Sequence, residues 1–331
     1  MTPRHEEGAA LLSVLLLVAV MSVLAATLLE RVSLATSLAA NGAANAQARA
    51  FARAAEAIAS VQIADLIARD QSQTTLSGGW QGAPRALPVP GGTGTARVVD
   101  GGNCFNLNSV VTEMPGPTAD TVLTANPAAV QQLVTLAVSV GIGPGDATRI
   151  AAGLADWVDT DNVPAPLGGE DAAYAGRDPA MLPANRFVSD ISELRVISGM
   201  NPDIYARLKP WICALPVAGL SPINVNTLTS AQAPLLAMLF DGRLPTEVAR
   251  SVIAQRPADG YGSPVRFWET NAVLGALEPN PAVRAQPQVK SRWFRMEVQL
   301  ELAGAELRET ALFDAETSPV KLVRRSWGEE G

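Results

Sequence analysis

Histidine is nearly absent from this chain. Its 331 residues contain one, His5, in a short polar segment ahead of a long apolar run. If that segment is removed, none remains. A histidine general base, a Ser-His-Asp triad and a histidine-ligated metal are then excluded. Cysteine is almost as scarce. The only two, Cys104 and Cys213, are too few for an all-cysteine zinc site. A cysteine pair following a membrane span reads best as one disulfide in an oxidising compartment; the alternative is two separate buried thiols. Closing a loop of that length would stabilise by roughly 4–5 kcal/mol on chain-entropy grounds. Positive charge is also in short supply. The 25 Lys and Arg are scattered and outnumbered by 32 Asp and Glu, for a net charge of −7. Such a chain has no overall attraction to nucleic-acid phosphates.

What the chain does have is one long apolar run. Ala9 to Leu29 holds 21 residues without a charge. At about 1.5 Å rise per residue, a helix of this length crosses the ~30 Å hydrocarbon core of a bilayer. It follows a polar leader ending at Gly8. A secretory signal peptide predicts a positive leader, a shorter apolar stretch and a small-residue exit. This leader is mixed in sign (Arg4, Glu6, Glu7), and the run ends in Leu28-Leu29-Glu30-Arg31. A plain signal anchor fits the run but gives Gly8 no role. A prepilin-type leader accounts for the short charged segment, the glycine and the unbroken apolar helix. It predicts cleavage between Gly8 and Ala9, leaving the helix in place. Residues 1–29 resemble the N-terminal segments of type IV pilins and type II secretion pseudopilins. Most of those carry Glu at the fifth mature position; counted from Ala9, that position is Ser13. A carboxylate in hydrocarbon is costly and is kept only for a function. Its absence is expected of a subunit that docks beneath no other, one at a fibre tip.

From Glu30 to about Asp70 the pattern is helical and amphipathic. Ala50, Ala54, Ile58, Val61, Ile63 and Ile67 predict the buried face, and Gly42 predicts a weak point or bend. Residues 71–94 read as loop. Thr95 to Asp100 alternate as a strand. Arg292 to Leu302 and Glu306 to Asp314 alternate around a short Ala-Gly-Ala turn and predict a β-hairpin, with a further strand over Val320 to Trp327. The strands on either side of residues 110–285 must then pair into one sheet, leaving that middle stretch as a helical insertion. Within it the pattern Asn-x-Asn, helix, break, helix occurs twice, starting at Asn106-Leu107-Asn108 and Asn224-Val225-Asn226. Residues 192–208 repeat the helix pair more briefly. Gly141-Ile142-Gly143, with Ala147 and Ile150, resembles a helix-hairpin-helix turn, whose backbone amides hold a phosphate in DNA-binding proteins. Arg149 is the only base nearby and Asp146, Asp156, Asp159 and Asp161 surround it, so a hairpin used for packing is the expectation.

The stretch richest in chemistry is Asp156 to Asp171, DWVDTDNVPAPLGGED. Closely spaced hard oxygen ligands suit Ca²⁺. Asp159, Asp161 and Glu170 fall at EF-hand positions 1, 3 and 12, but position 6 is Pro164 instead of Gly and position 5 is Val163. This is therefore not an EF-hand. The bland alternative is a solvated acidic turn whose carboxylates cap helices.

Taken in order, these segments resemble the K-type minor pseudopilins of type II secretion. The resemblance is carried by Gly8-Ala9 with Ser13, residues 103–108, Asp156-Trp157-Val158-Asp159 with Gly169-Glu170-Asp171, Ser192-Glu193-Leu194-Arg195, Cys213-Ala214-Leu215-Pro216 and residues 223–227. Among pseudopilins, the large K-type subunit is the member without the fifth-position Glu. The resemblance implies an α+β, pilin-like fold: a long N-terminal helix packed on an antiparallel sheet, with a large inserted all-α domain of helix-hairpin-helix, SAM-like units. The expected divisions are a leader at 1–8, a transmembrane half-helix at 9–29 and an amphipathic half at 30–70. A pilin-like core follows at 71–109 and 286–331, with the insertion at 110–285. The resemblance further implies cleavage by prepilin peptidase, N-methylation of Ala9 and pairing of Cys104 with Cys213. It implies structural Ca²⁺, with Asp159, Asp161, Glu170 and Asp171 as expected ligands. Functionally it implies a non-enzymatic subunit that initiates or caps the pseudopilus with the I- and J-type minor pseudopilins. Major pseudopilin G, minor pseudopilin H and an inner-membrane assembly platform are its further expected partners, and nucleic acid is not. The span would lie in the bacterial inner membrane and the soluble part in the periplasm. The alternative is a membrane-anchored DNA-uptake receptor built on the hairpins; it leaves Gly8, the C-terminal sheet and the acidic balance unexplained.

Overall fold

The computed structural model describes residues 4–116, 121–176, 180–270, 273 and 281–328, with side chains from Leu11 onward. It begins with a single helix, α1 (Arg4–Arg69). Sixty-six residues at about 1.5 Å each make a rod roughly 100 Å long. Its apolar N-terminal part is long enough to cross a membrane and buries nothing within the protein. The expected bend at Gly42 is absent: α1 runs through it, and a Cβ there would meet nothing within 4 Å. Burial starts at Ala44 and continues through Ala48, Ala52, Ala55, Ala59 and Ile63, a stripe stepping by three and four. This corrects the expected face. Ala50 and Ala54 are exposed, as are Ile58 (49%) and Val61 (61%). Small side chains let the helix axis approach the sheet closely, so alanine and not the larger residues marks the packed side.

After α1 the chain forms β1 (Arg85–Ala86), inside the stretch 71–94 that reads as loop, and β2 (Gly92–Asp100), which extends the strand expected over Thr95 to Asp100 by three residues at its start. It then enters the middle region at β3 (Phe105–Asn106). The next element is a hairpin, β4 (Val111–Pro115) with β5 (Thr121–Ala125), which corrects the expectation of an all-α insertion. Its Val and Thr content favours strand. Helices follow: α2 (Pro127–Ser139), α3 (Pro144–Val158), α4 (Asp171–Ala175) and α5 (Pro202–Leu208). The short strands β6 (Ile212–Cys213) and β7 (Ile223–Asn224) lead to α6 (Ala233–Ala237), α7 (Thr246–Ala254), α8 (Pro264–Trp268), α9 (Pro281–Arg284) and β8 (Pro287–Gln288).

Three helix-to-helix turns share one device: α2 to α3, a 3₁₀ helix (Ile191–Val196) to α5, and α6 to α7. Gly141, Gly199 and Gly242 all have positive φ, at 87°, 86° and 77°. Each is followed three residues later by a proline at or just before the next helix: Pro144, Pro202 and Pro245. The glycine supplies the left-handed backbone and the proline presets the helical φ. The Asn-x-Asn repeat is equally structural. Asn106 Oδ1 accepts from Asn108 N, and Asn224 Oδ1 accepts from Asn226 N, at 3.2 and 2.9 Å. Asn108 Oδ1 then accepts from Val188 N at 2.7 Å, and Asn226 Oδ1 from Tyr261 N at 2.8 Å. In one half β3 pairs in parallel with β6; in the other β7 pairs in parallel with β8. The middle region is thus two halves built on one scheme.

The chain returns as β9 (Trp293–Leu302), β10 (Ala305–Asp314) and β11 (Lys321–Trp327). Ala303 and Gly304, with φ of 49° and 81°, close the β9–β10 hairpin as a two-residue turn. The main sheet is antiparallel in the order β1-β2-β9-β10-β11. Its inner face (Phe294, Met296, Val298, Leu300, Leu307, Phe313) meets the alanine stripe of α1. One carboxylate shares that face. Glu309 of β10 lies beneath α1 with both oxygens lacking hydrogen-bond partners, beside Glu56, which accepts two 2.5 Å hydrogen bonds from Arg325 of β11. Burial, then the neighbouring Glu56, pushes Glu309 up to about 8.

The middle region has its own apolar core, and a third cluster lies between the two, made of Cys104, Cys213, Leu215, Trp293 and Leu312. Cys104 and Cys213 are disulfide-bonded there, with Cα atoms 5.8 Å apart. Asp100, at the end of β2, is a buried polar anchor of the same junction. It accepts from Gly102 N at 2.9 Å, Thr227 Oγ1 at 2.6 Å and Ser291 Oγ. Ser60 Oγ donates to Val320 O, and Arg49 stacks on Trp327, so β11 descends along α1 toward the apolar run. The strand register then puts Asp100 and Trp293 at the end of the sheet far from that run. The middle region leaves and re-enters at that far end.

Candidate metal centre

Asp156 and Asp159 stand one turn apart at the C-terminal end of α3, so they share a face. Both are buried, 1% and 3% exposed. Backbone carbonyls make this end of a helix electronegative, which disfavours carboxylates. Asp156 is compensated. Its Oδ2 accepts from Gly169 N at 2.7 Å and from Ala165 N at 3.1 Å. It thereby ties the loop of residues 160–169 back onto α3. A Cβ on Gly168 would fall 2.1 Å from Asp156 Oδ2, so only glycine passes there.

Asp159 is not compensated in this way. Its Oδ1 and both carboxylate oxygens of Glu170 are buried without hydrogen-bond partners. Asp161 completes the group on the exposed side, and its Oδ1 accepts from Val163 N at 2.8 Å. One ligand oxygen from each of Asp159, Asp161 and Glu170 lies within 4.8 Å of the others. The hairpin holds this loop in place: Thr160 N donates to Leu123 O at 3.0 Å, and Leu123 N donates to Thr160 Oγ1 at 3.1 Å. On the other side Trp157 packs on Tyr174 of α4, ring centroids 5.2 Å apart.

The electrostatics follow from this crowding. Burial, then the charges of Asp161, Asp156 and Glu170, pushes Asp159 up to about 7. Burial, then Asp156, Asp161 and Asp171, pushes Glu170 up to about 7. Among the described residues, no Lys or Arg forms an ion pair with any of them. Orphaned buried carboxylates are costly. A hard divalent cation relieves both the desolvation and the repulsion, and oxygens on opposite sides of a Ca²⁺ stand about 5 Å apart. The residues fit such an ion.

Asp159, Asp161 and Glu170 are brought together, whereas Asp171 is exposed at the first position of α4 and outside the group. It acts on the cluster through its charge. The organiser that sequence reasoning did not single out is Asp156 with Gly168. Gly168-Gly169 in the same stretch is its sign in the sequence. Ser13 lies on the exposed surface of the apolar part of α1. Gly8 and Ala9 are on its backbone, with side chains outside the described residues.

Comparison with known proteins agrees with this architecture. Residues 103–217 and 223–290 each match a family described as "Type II secretion system (T2SS), protein K". The division falls between the two structural halves. The chain is 34% identical to the type II secretion system protein K of Pectobacterium carotovorum, over 98% of this chain and 97% of the relative. It is 32% identical to that of Klebsiella pneumoniae, over 98% and 97%. Among solved structures it is similar to a chain in the GspK-GspI-GspJ complex of the enterotoxigenic Escherichia coli type 2 secretion system. There the TM-score is 0.72 and the identity 28%, covering 86% of this chain and 96% of that one. With a long helix, an antiparallel sheet and a two-part middle region matched over nearly their whole length, this chain belongs to the type II secretion system protein K family.

Proposed function

We propose that this chain is the minor pseudopilin that initiates and caps the type II secretion pseudopilus. The observation that carries the reading is the placement of the middle region. It sits at the end of the stem farthest from the apolar run, where it would obstruct any subunit added above. The absence of Glu at Ser13 agrees, because a first subunit has no predecessor to dock beneath. In this reading the sheet and α1 form a pilin-like core, and residues 110–285 are an inserted domain of helix hairpins with one β-hairpin. Residues 9–29 span the inner membrane once, with the soluble part in the periplasm. Extraction from lipid then needs the assembly platform, since a bare apolar helix has no hydrophobic reason to leave. Prepilin peptidase cuts before Ala9 and methylates it. The I- and J-type minor pseudopilins are the immediate partners, followed by H and G. The role is mechanical and involves no catalysis. Ca²⁺ held by Asp159, Asp161 and Glu170 fixes the acidic loop. The orphaned oxygens of Asp159 and Glu170 support this.

Co-production with the I- and J-type subunits tests the partnership. A ternary complex surviving size exclusion is expected. Separate elution of this chain at micromolar concentration would contradict it.

A further inference from the structure

We infer that the cleft between α1 and β1 is a binding site for a single-chain anionic amphiphile, a fatty acid. Because α1 packs chiefly on β9 and β10, it leaves the inner face of the β1–β2 edge uncovered. The resulting cleft has a volume of about 470 Å³, inside the roughly 300–1,000 Å³ range of small-molecule sites. Ala59, Leu66, Trp80, Leu87, Val98 and Met296 make its apolar wall. Small side chains on the facing surfaces, Ala55, Ala59 and Ala96, keep it open.

The mouth is polar and carries net positive charge. Arg69, in the last turn of α1, and Arg85, on β1, line it with Asp65. Among the described residues, neither guanidinium group has an ion-pair or hydrogen-bond partner. The Arg69 guanidinium reaches across to the far wall, where a Cβ on Gly78 would stand 3.7 Å from its Nη1. A slot lined by carbon and gated by two free guanidinium groups complements an alkyl chain ending in a carboxylate. Arginine binds carboxylates with paired donors. The inference is independent of where in a fibre the chain sits.

The test uses the full chain in phosphatidylcholine nanodiscs with a diazirine- and alkyne-bearing palmitate, photolysed and mapped by peptide mass spectrometry. Saturable labelling of residues 55–69 and 77–88 is expected. Excess palmitate should suppress it and hexadecanol should not. Both arginines are exposed and unpaired, so the double variant Arg69→Glu, Arg85→Glu is expected to fold. Its cleft labelling should fall at least tenfold, because both arginine–carboxylate pairings are lost, with labelling of residues 9–29 unchanged. Labelling confined to residues 9–29, equal competition by hexadecanol, or equal cleft labelling in the variant would overturn the inference.

Discussion

At the scale of single residues, the chain stores its chemistry in carboxylates that lack ordinary partners. Asp159 and Glu170 are the clearest case. A ligand that binds only the folded state stabilises it by about 2.7 kcal/mol at 100 times its Kd. Saturating Ca²⁺ should therefore raise the Tm of the full chain by about 5 °C or more over EDTA. Asp159→Asn and Glu170→Gln should each abolish most of that difference while stabilising the metal-free form. A Tm indifferent to Ca²⁺ in the parent chain would remove the ion from the account. Glu309 makes a second prediction. Its folded pKa of about 8 stands above the ordinary 4.5. Folding therefore retains a proton that the unfolded chain releases, and stability falls as pH rises from about 5 through 8. Glu56 acts in the opposite sense, because Arg325 holds it low; its contribution is lost only on acidification. Glu309→Gln should flatten the alkaline loss, leaving the variant more stable than the parent at pH 9 by on the order of 1–3 kcal/mol. Equal denaturant midpoints for the two at pH 9 would contradict the burial argument.

At the scale of elements, much was legible and the failures have physical causes. The β9–β10 hairpin follows from strict alternation in Trp293–Leu302 and Ala305–Asp314. The same alternation already puts Glu309 on the apolar face with Leu307, Ala311 and Phe313. The Asn-x-Asn repeat was visible as a pattern, but its role in tying distant backbone to each half was not. Alanine is helical everywhere and marks no side, so the larger Ile58 and Val61 point the expected face away from the true stripe. The β4–β5 hairpin is hard to read in the sequence because its two strands are only five residues each and a helix follows at once, yet it supports the acidic loop through Leu123 and Thr160. Asp156 could be read as a carboxylate but not as a loop anchor, since its partners are backbone amides of Ala165 and Gly169. For α1 the testable statement concerns processing. Mass analysis of the mature chain should find a methylated N-terminus at Ala9, and an unprocessed chain when prepilin peptidase is absent. Any other mature N-terminus would undo the prepilin reading.

At the scale of the whole molecule, three cores are stacked along one rod. Small side chains bring α1 onto the sheet, and Asp100, the Cys104–Cys213 bond and Trp293 join the sheet to the middle region. The rod carries its bulk at the far end. A subunit so built can accept others below it but not above. Gold labelling of this chain on pseudopili lengthened by overproducing the major subunit tests that arrangement most directly. The account predicts label at one end of each fibre and nowhere else; label distributed along the shaft would contradict it.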